Sequence, residues 1–83
     1  MYEILFTELA AKQFRKLESP VQDRIRAVLE RTRIRPESFF VRLIGVDAYK
    51  IRIGDWRIIA DLQQDRLIIL VLKVGHRRSV YES

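Results

Sequence analysis

The chain has 83 residues, 48% hydrophobic and 33% charged, with no cysteine and one histidine. That length supports one small domain around one core, and the composition excludes a disordered chain, disulfides, thiolate metal sites and histidine clusters. A net charge of +5, with arginine as twelve of the sixteen cations, points to an anionic partner, either nucleic acid or an acidic protein.

The opening MYEILFTELAAK lacks the apolar run of a signal peptide, and no stretch has the length of a membrane span. A soluble, cytoplasmic protein forming a single domain over 1–83 is expected. Tyr2 to Thr7 is short, aromatic and β-branched, which predicts a strand. Thr7 then caps a first helix running to about Leu17, with Ala10, Phe14 and Leu17 as its buried stripe. Ser19, Pro20 and Gln22 form the start signal of a second helix: N-cap, first-turn proline and capping box. Its apolar face is Val21, Ile25, Val28, Leu29 and Thr32. Pro36 disfavours helical geometry in the residue before it, so the helix should stop near Arg35.

Val41 to Leu43 reads as a short strand or an extended connection. Ala48 to Ile53 alternates cleanly, WRIIADLQ returns, and RLIILVLKVG is nearly continuous in apolar residues, as a central strand covered on both faces would be. The expected fold class is α+β: a small antiparallel sheet of three to four strands with two N-terminal helices on one face, in the order β-α-α-β-β-β.

Gly54 and Asp55 suit a two-residue loop of type II′. The register is then fixed: Ile53 opposite Trp56, Arg52 opposite Arg57, Ile51 opposite Ile58. Two guanidinium groups face each other across the ladder, with Lys50 beside them, although like charges directly opposite are destabilising. One resolution is a solvated face, relieved by a Lys50–Asp61 pair worth about 0–1 kcal/mol. The other is an anionic ligand, because paired guanidinium groups on a rigid sheet match phosphate oxygens in forked geometry. If the last strand runs parallel in space to the one beginning at Ala48, its end brings His76, Arg77 and Arg78 to the same tip. Trp56 and Tyr81 offer aromatic faces for stacking on a base. Packing is the favoured role for Trp56, and pinning the tail is an equal alternative for Tyr81.

RNA scission by a 2′-hydroxyl needs a proton acceptor, cations to stabilise the phosphorane, and a proton donor to the leaving oxygen. Arg52, Arg57 and Arg77 suit the middle task. Lys50, His76 and Tyr81 are the candidates for moving protons. No carboxylate cluster for magnesium is present, so chemistry without a metal or other cofactor is expected.

The combination of AAKQFRKL, LIGVDAYKIRIGDWRIIADL and LKVGHRRSVY resembles the RelE/ParE toxin superfamily, and its RelE branch in particular, over almost the whole chain. The resemblance implies a toxin of a type II toxin–antitoxin system that enters the ribosomal A site and cuts mRNA. It implies neutralisation by a RelB-like antitoxin, with operator DNA met only through the antitoxin complex and no membrane partner. Its functional positions fall on Lys50, Arg52, Arg57, Arg77 and Tyr81; His76 and Arg78, as cations of the same tail, are expected RNA contacts. The best-studied pattern of the family has lysine where Arg52 stands. A guanidinium stays protonated at physiological pH, so the proton-accepting duty moves to Lys50, Tyr81 or His76. Many relatives carry an acid where Ser79 stands. The alternatives are a ParE-like inhibitor of gyrase, which shares the fold without the nuclease set, and an inactive relative acting only through its antitoxin complex.

Overall fold

A mixed sheet of five strands, with two helices laid across one face, makes up the computed structural model, which describes residues 1–78. The elements in chain order are β1 (Glu3–Phe6), α1 (Glu8–Arg15), α2 (Ser19–Thr32), a 3-10 turn (Pro36–Ser38), β2 (Val41–Arg42), β3 (Tyr49–Ile53), β4 (Trp56–Gln63) and β5 (Ile68–His76). The strands lie in the order β1-β5-β4-β3-β2. Strands β2 to β5 pair antiparallel, while β1 pairs parallel with β5, Glu3 opposite Ile68 through Phe6 opposite Val71.

The expected α+β class and the helices on one face hold. The strand count and the purely antiparallel sheet do not. The first strand does not stand apart; the two helices carry the chain from one edge of the sheet to the other, which leaves β1 free to close against β5. That pairing explains the apolar run of β5. The strand has a neighbour on each side, and Ile69, Val71 and Val74 are buried beneath the helices. On the opposite face, Ala48 and Ile59 form a second, smaller apolar cluster with Leu43 and Leu72.

The main core lies between sheet and helices. Ala10 and Phe14 from α1, and Ile25 and Leu29 from α2, meet Ile51, Ile53, Ile58, Ala60, Ile69 and Val71. This is the stripe pattern of α2 at i, i+4 set against alternate residues of the strands. Thr32 closes the stripe with its hydroxyl donating to the Leu29 carbonyl at 2.7 Å. Register shifts between Ile59 and Ala60, where Lys73 and Val71 are the opposing residues, so Leu72 is the extra residue of a β-bulge. Just beyond it, the Val74 amide donates to Gln13 Oε1 of α1 at 2.8 Å.

Local signals held in part. Thr7 caps α1, its side chain accepting from the Ala10 amide at 3.1 Å. Its hydroxyl also lies 3.3 Å from the Leu72 carbonyl, which fixes the start of the helix to β5. At α2 the cap falls one residue earlier than the sequence suggests. Ser19 is already helical, and Glu18 occupies the N-cap without a side-chain bond. Gln22 therefore completes no capping box; its side chain donates to the Phe14 carbonyl at 2.9 Å, tying the start of α2 to the end of α1. The helix stops at Thr32 rather than Arg35, and Pro36 opens the 3-10 turn instead.

Candidate nucleic-acid interface

The β3–β4 hairpin has the register that its two-residue loop dictates: Ile53 opposite Trp56, Arg52 opposite Arg57, Ile51 opposite Ile58. Gly54 has φ +61° and, among the described residues, Leu67 is the only non-glycine with positive φ. Positive φ at the first loop position alone is the sign pattern of a type II′ turn. Ile51, Ile53 and Ile58 enter the main core, so alternation sends Lys50, Arg52 and Arg57 to the face that the helices leave uncovered.

Strand β2 covers only part of the β3 edge. The chain enters β2 from the 3-10 turn, and pairing begins only with Val41 opposite Lys50 and Arg42 opposite Tyr49, so β2 places no residue opposite Arg52. The uncovered edge beside Arg52 becomes a notch of about 620 Å³. Strand β3 contributes Lys50, Ile51 and Arg52 to it, and β4 contributes Arg57. Its other side is built by Val28 and Arg31 of α2, with Ser38, Phe39 and Val41 between. Four of these residues are cationic and none is acidic.

Arg57 does not project freely. Its Nη1 donates to the carbonyls of Gly54 and Trp56, both at 3.0 Å. The guanidinium is thereby held against the turn. Among the described residues, Nε and Nη2 have no protein acceptor, so that edge of the fork remains to meet an anion. Arg52 is exposed and, among the described residues, has no ion pair. The like-charge crowding is thus relieved for Arg57 by backbone dipoles.

The tail cations are placed differently. Strand β5 runs in the direction of β3 and brings Gly75 opposite Arg57 and His76 opposite Trp56. The Arg77 amide extends the ladder by donating to the Asp55 carbonyl at 2.8 Å, and its Nε lies 3.9 Å from Asp55 Oδ1. Both side chains are about half exposed or more, so this pair adds about 0–1 kcal/mol. Arg77 therefore stands at the hairpin tip beside Arg57. His76 packs edge-on against Trp56, ring centroids 5.5 Å apart, on the helix side of the sheet. Trp56 thus has the packing role. His76, Arg77 and Arg78 do not line the notch. Tyr81 lies outside the described residues.

Sequence reading missed Arg31 and Phe39. The available signal was the seven-residue spacing of Arg24 and Arg31, which puts both on one side of α2. The Arg24 guanidinium rests on the hairpin turn: a Cβ added to Gly54 would stand 2.9 Å from its Nη1. Gly54→Ala tests the turn. The arginine tip can swing away, so the cost is the positive φ, about 1–2 kcal/mol, read as a fall of roughly 5–15 °C in Tm.

The sequence matches the family described as the ParE toxin of the type II toxin–antitoxin system parDE over residues 4–81. No curated protein matches the chain in sequence. Among solved structures, the toxin–antitoxin complex RelBE of E. coli superposes with a TM-score of 0.80 at 28% identity, covering 92% of this chain and 96% of that one. The isolated E. coli RelE toxin gives a TM-score of 0.79 at 28% identity, covering 92% and 84%. The RelBE2 complex of Mycobacterium tuberculosis shares the fold, with a TM-score of 0.79 at 22% identity and coverage of 92% and 98%. With a family match across nearly its whole length and this sheet-and-helix architecture, the chain belongs to the RelE/ParE superfamily of type II toxin–antitoxin toxins.

Proposed function

We propose that this toxin is a ribosome-dependent endoribonuclease that cuts mRNA in the A site and is held in check by a RelB-like antitoxin. The observation that carries the reading is the convergence of Lys50, Arg52 and Arg57 on one notch that, among the described residues, no acid lines. Three hairpin cations gathered this way suit a phosphodiester passing from one negative charge to the more highly charged phosphorane, which such groups stabilise more than the ground state. Arg57, already oriented by two carbonyls, offers its remaining donors to the non-bridging oxygens. Arg52 faces it from across the ladder, and Arg77 approaches from the hairpin tip. Taking the proton of the 2′-hydroxyl and returning one to the leaving oxygen falls to two of Lys50, His76 and Tyr81, and a lysine does the first only as the neutral amine. No step calls for a metal or a cofactor.

The RelE complexes of E. coli and M. tuberculosis contain an antitoxin, which supports a partner of that kind here. Operator DNA is then reached only through the antitoxin complex. The second reading, a gyrase inhibitor, draws on the ParE description of the matching family. The two separate in one pair of assays. Purified toxin added to a translation extract with a defined message gives cuts in register with the reading frame, mapped by primer extension. Inhibited DNA supercoiling without such cuts overturns the nuclease reading. Tyr81→Phe is expected to slow cleavage; an unchanged rate assigns the ring to stacking or packing and the proton to another group.

A further inference from the structure

The notch has a wall that the hairpin cations leave unexplained. Arg31 is exposed on α2, and the acids on its own helix are turned to other arginines: Asp23 to Arg26 at 3.4 Å and Glu30 to Arg33 at 3.1 Å. Among the described residues, Arg31 has no ion pair or side-chain hydrogen bond, yet it lines the same recess as Arg52 and Arg57. Phe39, just after the 3-10 turn, is 44% exposed and lines the same recess. Its neighbour Phe40 is buried in the core, so the backbone beneath the exposed ring is anchored. An exposed phenyl and three guanidinium groups lining one recess, with room for a small ligand, are the two elements of a single-strand site: charge for the backbone and a flat face for a base.

We propose that α2 supplies the second wall of an RNA groove, in which Arg31 holds a backbone phosphate across the notch from Arg52 and Phe39 stacks on the base of the adjoining nucleotide. The inference rests on the RNA-cutting reading and adds two positioning residues to it. The occupant is a single strand: a duplex presents no free base face to Phe39.

The test measures binding of a fluorescein-labelled 2′-O-methyl hexanucleotide, which has no free 2′-hydroxyl to react, by anisotropy across a salt series. Arg31→Ala is expected to weaken binding and to flatten the slope of log K against log salt by roughly 0.7, one phosphate contact on a single strand. Phe39→Leu keeps apolar bulk without a π face and is expected to weaken binding about fivefold to a hundredfold with the slope unchanged, and Phe39→Tyr to restore it. Arg15→Ala, an exposed cation on α1, controls for net charge. In programmed ribosomes the Arg31 and Phe39 variants raise KM and leave kcat in place. The inference is overturned if wild type does not bind the oligonucleotide at low salt. It is also overturned if Arg31→Ala matches Arg15→Ala while Phe39→Leu binds as wild type, which would assign the notch to a protein partner. Should Arg57→Ala lose cleavage while the Arg31 and Phe39 variants keep wild-type KM, the groove falls and the nuclease reading stands. Weaker RNA binding by the Arg31 and Phe39 variants, with cleavage indifferent to Arg57, keeps the groove and removes the hairpin from the chemistry.

Discussion

Arg57→Ala is expected to reduce mRNA cleavage by roughly a hundredfold or more, the usual effect of removing one charged donor from a developing oxyanion. The protein should remain folded but not unaffected. Arg57 donates to the carbonyls of Gly54 and Trp56, so its loss costs about 1–2 kcal/mol, at the low end for charged donors because water reaches the turn. A fall in Tm of roughly 5–15 °C accompanies the loss of activity. Arg57→Lys separates the two roles. It keeps a positive charge but cannot bridge two carbonyls and still present a fork, so cleavage should recover only in part. Full activity in the alanine variant, measured on ribosomes at a temperature where it is folded, would remove the hairpin from the site.

Ile58→Ala should produce the largest loss of stability. Ile58 is fully buried on β4, opposite Ile51 on one side and Val74 on the other. Truncation leaves a cavity in the larger of the two apolar clusters and costs about 2–5 kcal/mol. A domain of this length has a total stability at the low end of about 5–15 kcal/mol, so the variant should be partly unfolded at 37 °C. Its neighbour Ile59 points to the other face, where, among the described residues, the smaller apolar cluster around it is Ala48, Leu43 and Leu72. Ile59→Ala should therefore cost markedly less. Urea titrations of both variants decide the matter, and equal midpoints would mean that the two faces of β4 are equally well packed.

The hairpin was the most legible part of the sequence, and for a local reason. A glycine followed by aspartate between alternating runs fixes the loop length, and loop length fixes the register of every pair that follows. The facing arginines were visible on that ground alone. The parallel pairing of β1 with β5 was not, because strands some sixty-five residues apart leave no turn signal between them, and the chain could equally have left β1 as a loose edge. Ser19 misled because serine before proline fits an N-cap, yet Ser19 is already helical and Gln22, instead of accepting from its amide, donates to the Phe14 carbonyl near the end of α1. Arg31 and Phe39 escaped notice for a different reason. Each is unremarkable in its own element and gains meaning only where β2 breaks off and α2 passes the bare edge of β3. Likewise, nothing in the sequence says that Arg57 is held by carbonyls of its own turn.

The most direct measurement is a titration of isotope-labelled toxin with the 2′-O-methyl hexanucleotide, following backbone amide shifts by NMR. Shifts concentrated on residues 50–57, with Arg31 and Phe39 moving in step, are the expected result. Shifts confined to α1 or to the β1 edge, with the β3–β4 hairpin unmoved, would contradict it.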